Sequence, residues 1–136
     1  MGYETVAAEL AEWGIKVTER DFSKEFADRR RSITFNVGYR DFGDMIMGAV
    51  WGRSTLDVRT RRIISISIAA ALNYQPILKA HFELALQRND LSLEEIQEII
   101  LQIGQYAGLP SATCANQNLQ ECVKAVAEKK ALQSEI

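Results

Sequence analysis

The ten residues Ile63-Ile-Ser-Ile-Ser-Ile-Ala-Ala-Ala-Leu72 constrain the fold more than any other stretch of this chain. They are apolar nearly all round. The β-branched isoleucines would suit a strand, but Ala69-Ala70-Ala71 and the overall length of the pattern favour a helix. A helix without a polar face belongs in the centre of a structure. It is too short to span a bilayer, which takes about 20 apolar residues, so the expected surroundings are protein and no membrane partner is expected. The chain has 136 residues, 47% hydrophobic and 25% charged, enough for one globular domain with a real core.

Helix punctuation continues on both sides. Tyr3 to Trp13 carries Val6, Leu10 and Trp13 at helical spacing and stops before Gly14. Thr18 can cap a second helix with Phe22 and Phe26 one turn apart, running toward Arg31. Ser32 to Tyr39 alternates like a strand, yet it is short and without an obvious partner, and is read as a connector or distorted helical turn. Asp41 is expected to open a helix that Gly52 closes, and Asp57 to cap the central helix. Pro76 fits the first turn of a helix running to Arg88. Ser92 and Glu95 form a capping-box pattern ahead of Ile96, Ile99, Ile100 and Ile103. Gly108 ends that helix, and Pro110 starts a last one through Leu119, Cys122 and Val126. The expected fold is therefore all-α, a compact single domain over 1–136 of about six helices. With so many apolar stripes, part of that surface is expected to be buried between subunits.

Charge and cysteine usage exclude several classes. The net charge of −2 is spread among interspersed acids and bases, without the basic stripe that nucleic acid requires. Arg29-Arg30-Arg31, next to Asp28, reads as a solvated helix end. The N-terminus lacks a basic stretch followed by an apolar core, so no secretion signal is expected. Cys114 and Cys122 lie eight apart in one expected helix, a rise of about 12 Å, beyond the roughly 7 Å that a disulfide can bridge between Cα atoms. A reduced, cytoplasmic chain is the expectation. One histidine and two unpaired cysteines give no familiar metal-ligand spacing, and no glycine-rich phosphate loop occurs.

A few side chains could carry chemistry. His81, the only histidine, falls on the stripe Ile77, His81, Leu84 and Ala85, which places it on a buried face. It can be a core histidine bonded to a carbonyl, or a general acid or base tuned by burial. Arg53 follows Trp51 in a glycine-containing loop, where its planar fork suits a substrate carboxylate as well as a simple packing role. Arg59, Arg61 and Arg62 stand in the first turns of the central helix, against the dipole. At least one of them is expected to meet an acid across an interface or an anionic ligand. Tyr74 and Tyr106 offer phenols near helix ends, and Met45 and Met47 an apolar wall, all more often used for packing. Glu94, Glu95 and Glu98 read as the solvated face of the capped helix.

Taken together, Trp51-Gly-Arg-Ser-Thr-Leu-Asp-Val-Arg-Thr-Arg61, His81 with Ala85-Leu86, Leu91-Ser-Leu-Glu-Glu-Ile96 and Gln105-Tyr-Ala-Gly-Leu-Pro110 resemble the carboxymuconolactone decarboxylase family over roughly residues 42 to 125. The ordered set carries the resemblance, since no single element is specific. It implies an alkyl hydroperoxidase D-like helical subunit, assembled as a homotrimer or homohexamer with sites near subunit contacts. It also implies cofactor-free decarboxylation of a γ-lactone acid to an enol-lactone. By that resemblance His81 is the catalytic residue and moves a proton as carbon dioxide leaves. Arg53 anchors a carboxylate, and Trp51, Tyr74 and Tyr106 complete the binding site for a small carboxylate substrate, with no metal and no cofactor. The first forty residues depart from the family's usual opening, and Phe35, Tyr39 and Phe42 in the N-terminal third would suit a larger, more aromatic ligand.

The related thiol peroxidase branch places Cys-x-x-Cys shortly before the histidine and a glutamate further upstream. Counted back from His81, those positions are Tyr74, Ile77 and Arg62, all wrong for thiol redox chemistry. A peroxidase or disulfide reductase, and a non-catalytic ligand-binding oligomer on the same fold, are the alternatives.

Overall fold

The computed structural model describes residues 36–135. The helices expected at Tyr3 to Trp13 and from Thr18 to Arg31 lie outside the described residues, as do Ser32 to Phe35. Among the described residues there are helices and no strands, so the chain is all-α. They are α1 (Val37–Trp51), α2 (Val58–Ala71), α3 (Gln75–Gln87), α4 (Leu93–Ala107) and α5 (Leu109–Ser134). The chain divides into two units, one ending at Val58 and the other beginning at Arg59. The first holds α1, and the second holds α2 beyond its first residue together with α3 to α5.

In the first unit the helix begins four residues ahead of the expected Asp41. The reason is Asn36, whose side-chain oxygen accepts from the Tyr39 backbone N–H at 3.0 Å and satisfies a donor that the new helix leaves open. The Ser32 to Tyr39 segment thus ends in helix. Gly52 closes α1 as expected, its N–H donating to the Gly48 carbonyl at 3.0 Å.

In the second unit α2 is less enclosed than its composition implied. Ile66, Ala69 and Ala70 are buried, whereas Ile64, Ile68 and Leu72 are 42%, 53% and 56% exposed. These three recur every fourth residue, so they form one stripe along α2. Both α2 and α3 end in a left-handed asparagine, Asn73 (φ 59°) and Asn89 (φ 57°). Each is followed by a reverse hydrogen bond of Schellman type, from the Tyr74 N–H to the Ala69 carbonyl and from the Asp90 N–H to the Ala85 carbonyl. On α3 the buried residues are Leu78, His81, Phe82, Leu84 and Ala85. Ile77, expected on the same stripe, is 53% exposed, because the buried face is centred one residue later, on Leu78 and Phe82.

Helix α4 starts with the full capping box between Ser92 and Glu95 and buries Ile96, Ile100 and Ile103. Gly108 alone separates α4 from α5, at φ 99° and ψ 157°, a conformation open essentially to glycine. This tight corner folds α5 back against α3 and α4. A Cβ on Gly104 would sit 3.2 Å from the Ala112 Cβ, so the two helices approach closely near that corner. Further along, the buried Asn118 of α5 donates to the Gln75 carbonyl at 3.0 Å and to the Gln75 side chain at 2.8 Å, fixing the start of α3. The core of this unit is built around Phe82, Ile66, Leu78, Ile96 and Cys122. Full burial of each large aliphatic or aromatic side chain there contributes about 1.5–3 kcal/mol. Among the described residues, no helix is long and apolar enough to cross a membrane.

Candidate active site

Sequence periodicity places Arg62 on the buried face of α2, one turn before Ile66 and two before Ala69 and Ala70. Arg62 is accordingly 4% exposed. Such a group needs a counter-charge, and it comes from the turn after α3. There, Asn89 in the left-handed conformation swings Asp90 inward, leaving its side chain 1% exposed. Asp90 Oδ2 accepts from Arg62 Nη2 at 3.3 Å and from Arg62 Nε at 3.4 Å. The remaining amino group, Nη1, lies 2.8 Å from His81 Nδ1.

Three elements therefore bring Asp90, Arg62 and His81 into one buried row. The order sets the electrostatics. A guanidinium has donors and no acceptor, so Nδ1 of His81 accepts from Arg62. Burial first, and the neighbouring Arg62 charge second, lower His81 from the usual 6.5 to about 4, which makes it a neutral imidazole at pH 7. Burial also lowers Arg62, opposed by the attraction and hydrogen bonding of Asp90.

A second arginine braces the same turn from outside. Arg59 Nη1 donates to the Asp90 backbone carbonyl at 3.3 Å, and Arg59 Nη2 pairs with Glu95. Glu95 also accepts from the Ser92 N–H at 3.0 Å. With Arg59 first and Ser92 next, the Glu95 carboxyl is held at about 2. Arg59 and Arg62 thus both find acids within their own chain. Glu95 is a bracing residue, whereas Glu94 and Glu98 face solvent as expected.

The other expected site residues fall elsewhere. Trp51 closes α1 and is buried, and Arg53 follows on an exposed turn; both belong to the first unit. In the second unit, Tyr74 precedes α3 at 52% exposure and Tyr106 ends α4 at 80%, so neither phenol is buried with His81. Cys114 is exposed and Cys122 buried on α5, with no disulfide between them. Cys122 Sγ lies 3.4 Å from the Asn118 side-chain oxygen. On α1, Tyr39 and Phe42 are 62% and 58% exposed, and Phe35 lies outside the described residues. Asp90 is the residue that sequence reasoning missed. Its signal was Arg62 on a buried face, which demands an acid, together with an asparagine-aspartate pair where α3 stops.

An all-helical chain with an internally braced histidine on its buried face is the class defined so far. The sequence model of the carboxymuconolactone decarboxylase family matches residues 38–121, and the chain belongs to that family. It is 32% identical over 91 residues to a 4-carboxymuconolactone decarboxylase of Acinetobacter baylyi (strain ATCC 33305 / BD413 / ADP1), covering 66% of this chain and 67% of that relative. No solved structure matches the chain significantly.

Proposed function

We propose that the protein is a carboxy-lyase that removes carbon dioxide from a small cyclic or lactone carboxylic acid, with His81 at the reacting atoms. The single observation that carries this reading is the family match over residues 38–121, which contains His81 and the row behind it. The relative's name supplies the first substrate to try, 4-carboxymuconolactone. Decarboxylation without a cofactor needs an electron sink in the substrate itself, and a lactone carbonyl conjugated to the carbon that loses its carboxylate is one. Negative charge then grows on the lactone oxygen, where a fixed donor is most effective. A carboxylate retained by the substrate is assigned to Arg53, with Trp51, Tyr74 and Tyr106 as further binding residues. The reading is of a homo-oligomer, trimer or hexamer, working in the cytoplasm; Cys114 and Cys122, eight residues apart on α5 and not bridged to each other, support the latter.

The test is turnover of 4-carboxymuconolactone by the purified protein, followed as carbon dioxide release, in the native chain and in His81→Ala. A loss of about 10²–10⁴-fold is expected, the range for a single proton-handling or hydrogen-bonding group, with the helical circular dichroism and the mass in solution unchanged. Full activity in the variant would sink the assignment of His81.

A further inference from the structure

We infer that Arg62 is a positioning residue that fixes His81 as its Nε2–H tautomer, so that His81 serves the reaction as a hydrogen-bond donor to the developing lactone oxyanion rather than as a general base. The inference rests on the decarboxylase reading for the identity of the oxyanion. The tautomer itself rests on geometry alone.

The 2.8 Å contact between Arg62 Nη1 and His81 Nδ1 has one chemically consistent arrangement. Arginine cannot accept and does not deprotonate in this setting, so the imidazole offers its lone pair at Nδ1 and its proton sits on Nε2. Arg62 cannot turn away, because Asp90 Oδ2 holds Nε and Nη2 of the same planar group at 3.4 and 3.3 Å. Asp90 is in turn fixed by the Asn89 turn and by Arg59 on its backbone carbonyl. A carboxylate in place of Arg62 would favour the opposite tautomer, accepting a hydrogen bond from Nδ1–H and leaving a basic lone pair on Nε2. That is the usual way of building a histidine base. Here the sign of the partner is reversed.

The electrostatics of the imidazole agree with that geometry. Arg62 from α2 is the charge that lowers His81, behind desolvation. Arg88, at the end of α3, opposes the charge on Arg62, and Asp90 favours it. An imidazole that resists protonation and whose Nδ1 lone pair is occupied has no useful basicity at neutral pH, but it keeps a polarised N–H. In the proposed step the bond to the departing carboxylate breaks and its electron pair passes through the ring double bond to the lactone oxygen. The Nε2–H hydrogen-bonds that oxygen, and solvent water supplies the proton that the ring carbon takes up. His81 itself neither gains nor loses a proton across the step.

Because His81 is the only histidine in the chain, selective ¹⁵N labelling of histidine and arginine gives one imidazole to observe, in the native protein and without substrate. The expected result between about pH 6 and 8 is a single tautomer protonated on Nε2, with a scalar coupling across the hydrogen bond from Nδ1 to an arginine nitrogen. In Arg62→Met/Asp90→Leu, which removes both charges together, the coupling disappears and His81 titrates at higher pH; Arg62→Lys restores the Nε2–H form. A proton on Nδ1 in the native protein, or an unchanged imidazole spectrum in the double variant, would overturn the inference. Neither readout depends on turnover, so a chain inactive on 4-carboxymuconolactone leaves this test standing.

Discussion

Arg62 holds a charge that burial opposes, and the same burial denies a charge to His81 beside it. The pair is stable because each need is met within 3.5 Å, the guanidinium by Asp90 and the imidazole lone pair by the guanidinium. This arrangement has a consequence for stability against acid. His81 falls from 6.5 to about 4 on folding, so between those values the unfolded chain binds the extra proton. Stability therefore rises with pH in that window. The contribution of His81 is complete above about pH 6.5 and is lost as the pH drops toward 4. A fall of that size is worth about 3 kcal/mol. Glu95, held at about 2 by Arg59 and Ser92, acts lower, its contribution fading as the pH falls from 4.5 toward 2. Urea unfolding of the native chain and of His81→Gln, compared from about pH 7 down to about pH 4.5, should show a decline in the native chain that the variant lacks. Parallel curves would mean that His81 is not the buried neutral group described.

Helix ends were the part of the fold most legible in the sequence, because caps act locally. Ser92 with Glu95, Gly52, Pro76 and Gly108 all stand where their chemistry placed them. Asn36 displaced Asp41 as the start of α1 because two good caps compete and sequence alone does not rank them by the chain's path. His81 was legible as a buried residue, yet its stripe was misplaced by one position, since Ile77 and Leu78 are equally apolar and only packing chooses between them. The Arg62–Asp90 pair was not legible as a pair, since the two are 28 positions apart, with the rest of α2 and all of α3 between them. The sharpest element-scale test is the corner between α4 and α5. Gly108→Ala would force a Cβ into φ 99°, ψ 157°, costing about 1–3 kcal/mol. Thermal unfolding should register that loss. Unchanged stability would show that another residue can make this one-residue corner.

At the scale of the whole molecule, the apolar surface left over by folding matters most. Ile64, Ile68 and Leu72 run in line along α2, each 42% to 56% exposed, in the stretch whose composition demands burial. Nothing in the polarity of α2 compensates: its first turns carry the arginines, and from Ile63 to Leu72 the polar residues are Ser65 and Ser67 alone. The Ser67 hydroxyl bonds back to the Ile63 carbonyl at 2.8 Å rather than competing for solvent. A row of three branched side chains in water opposes solubility of a lone subunit. The same row on the other copies, gathered around a shared axis, would cover it in the proposed trimer or hexamer. Sedimentation of the native chain should therefore give a mass of at least three subunits, and Ile68→Lys, which puts a charge in the middle of the row, should lower it while leaving the helical signal intact. A native chain that sediments as a monomer, or an Ile68→Lys variant that keeps the native mass, would remove α2 from the subunit contact.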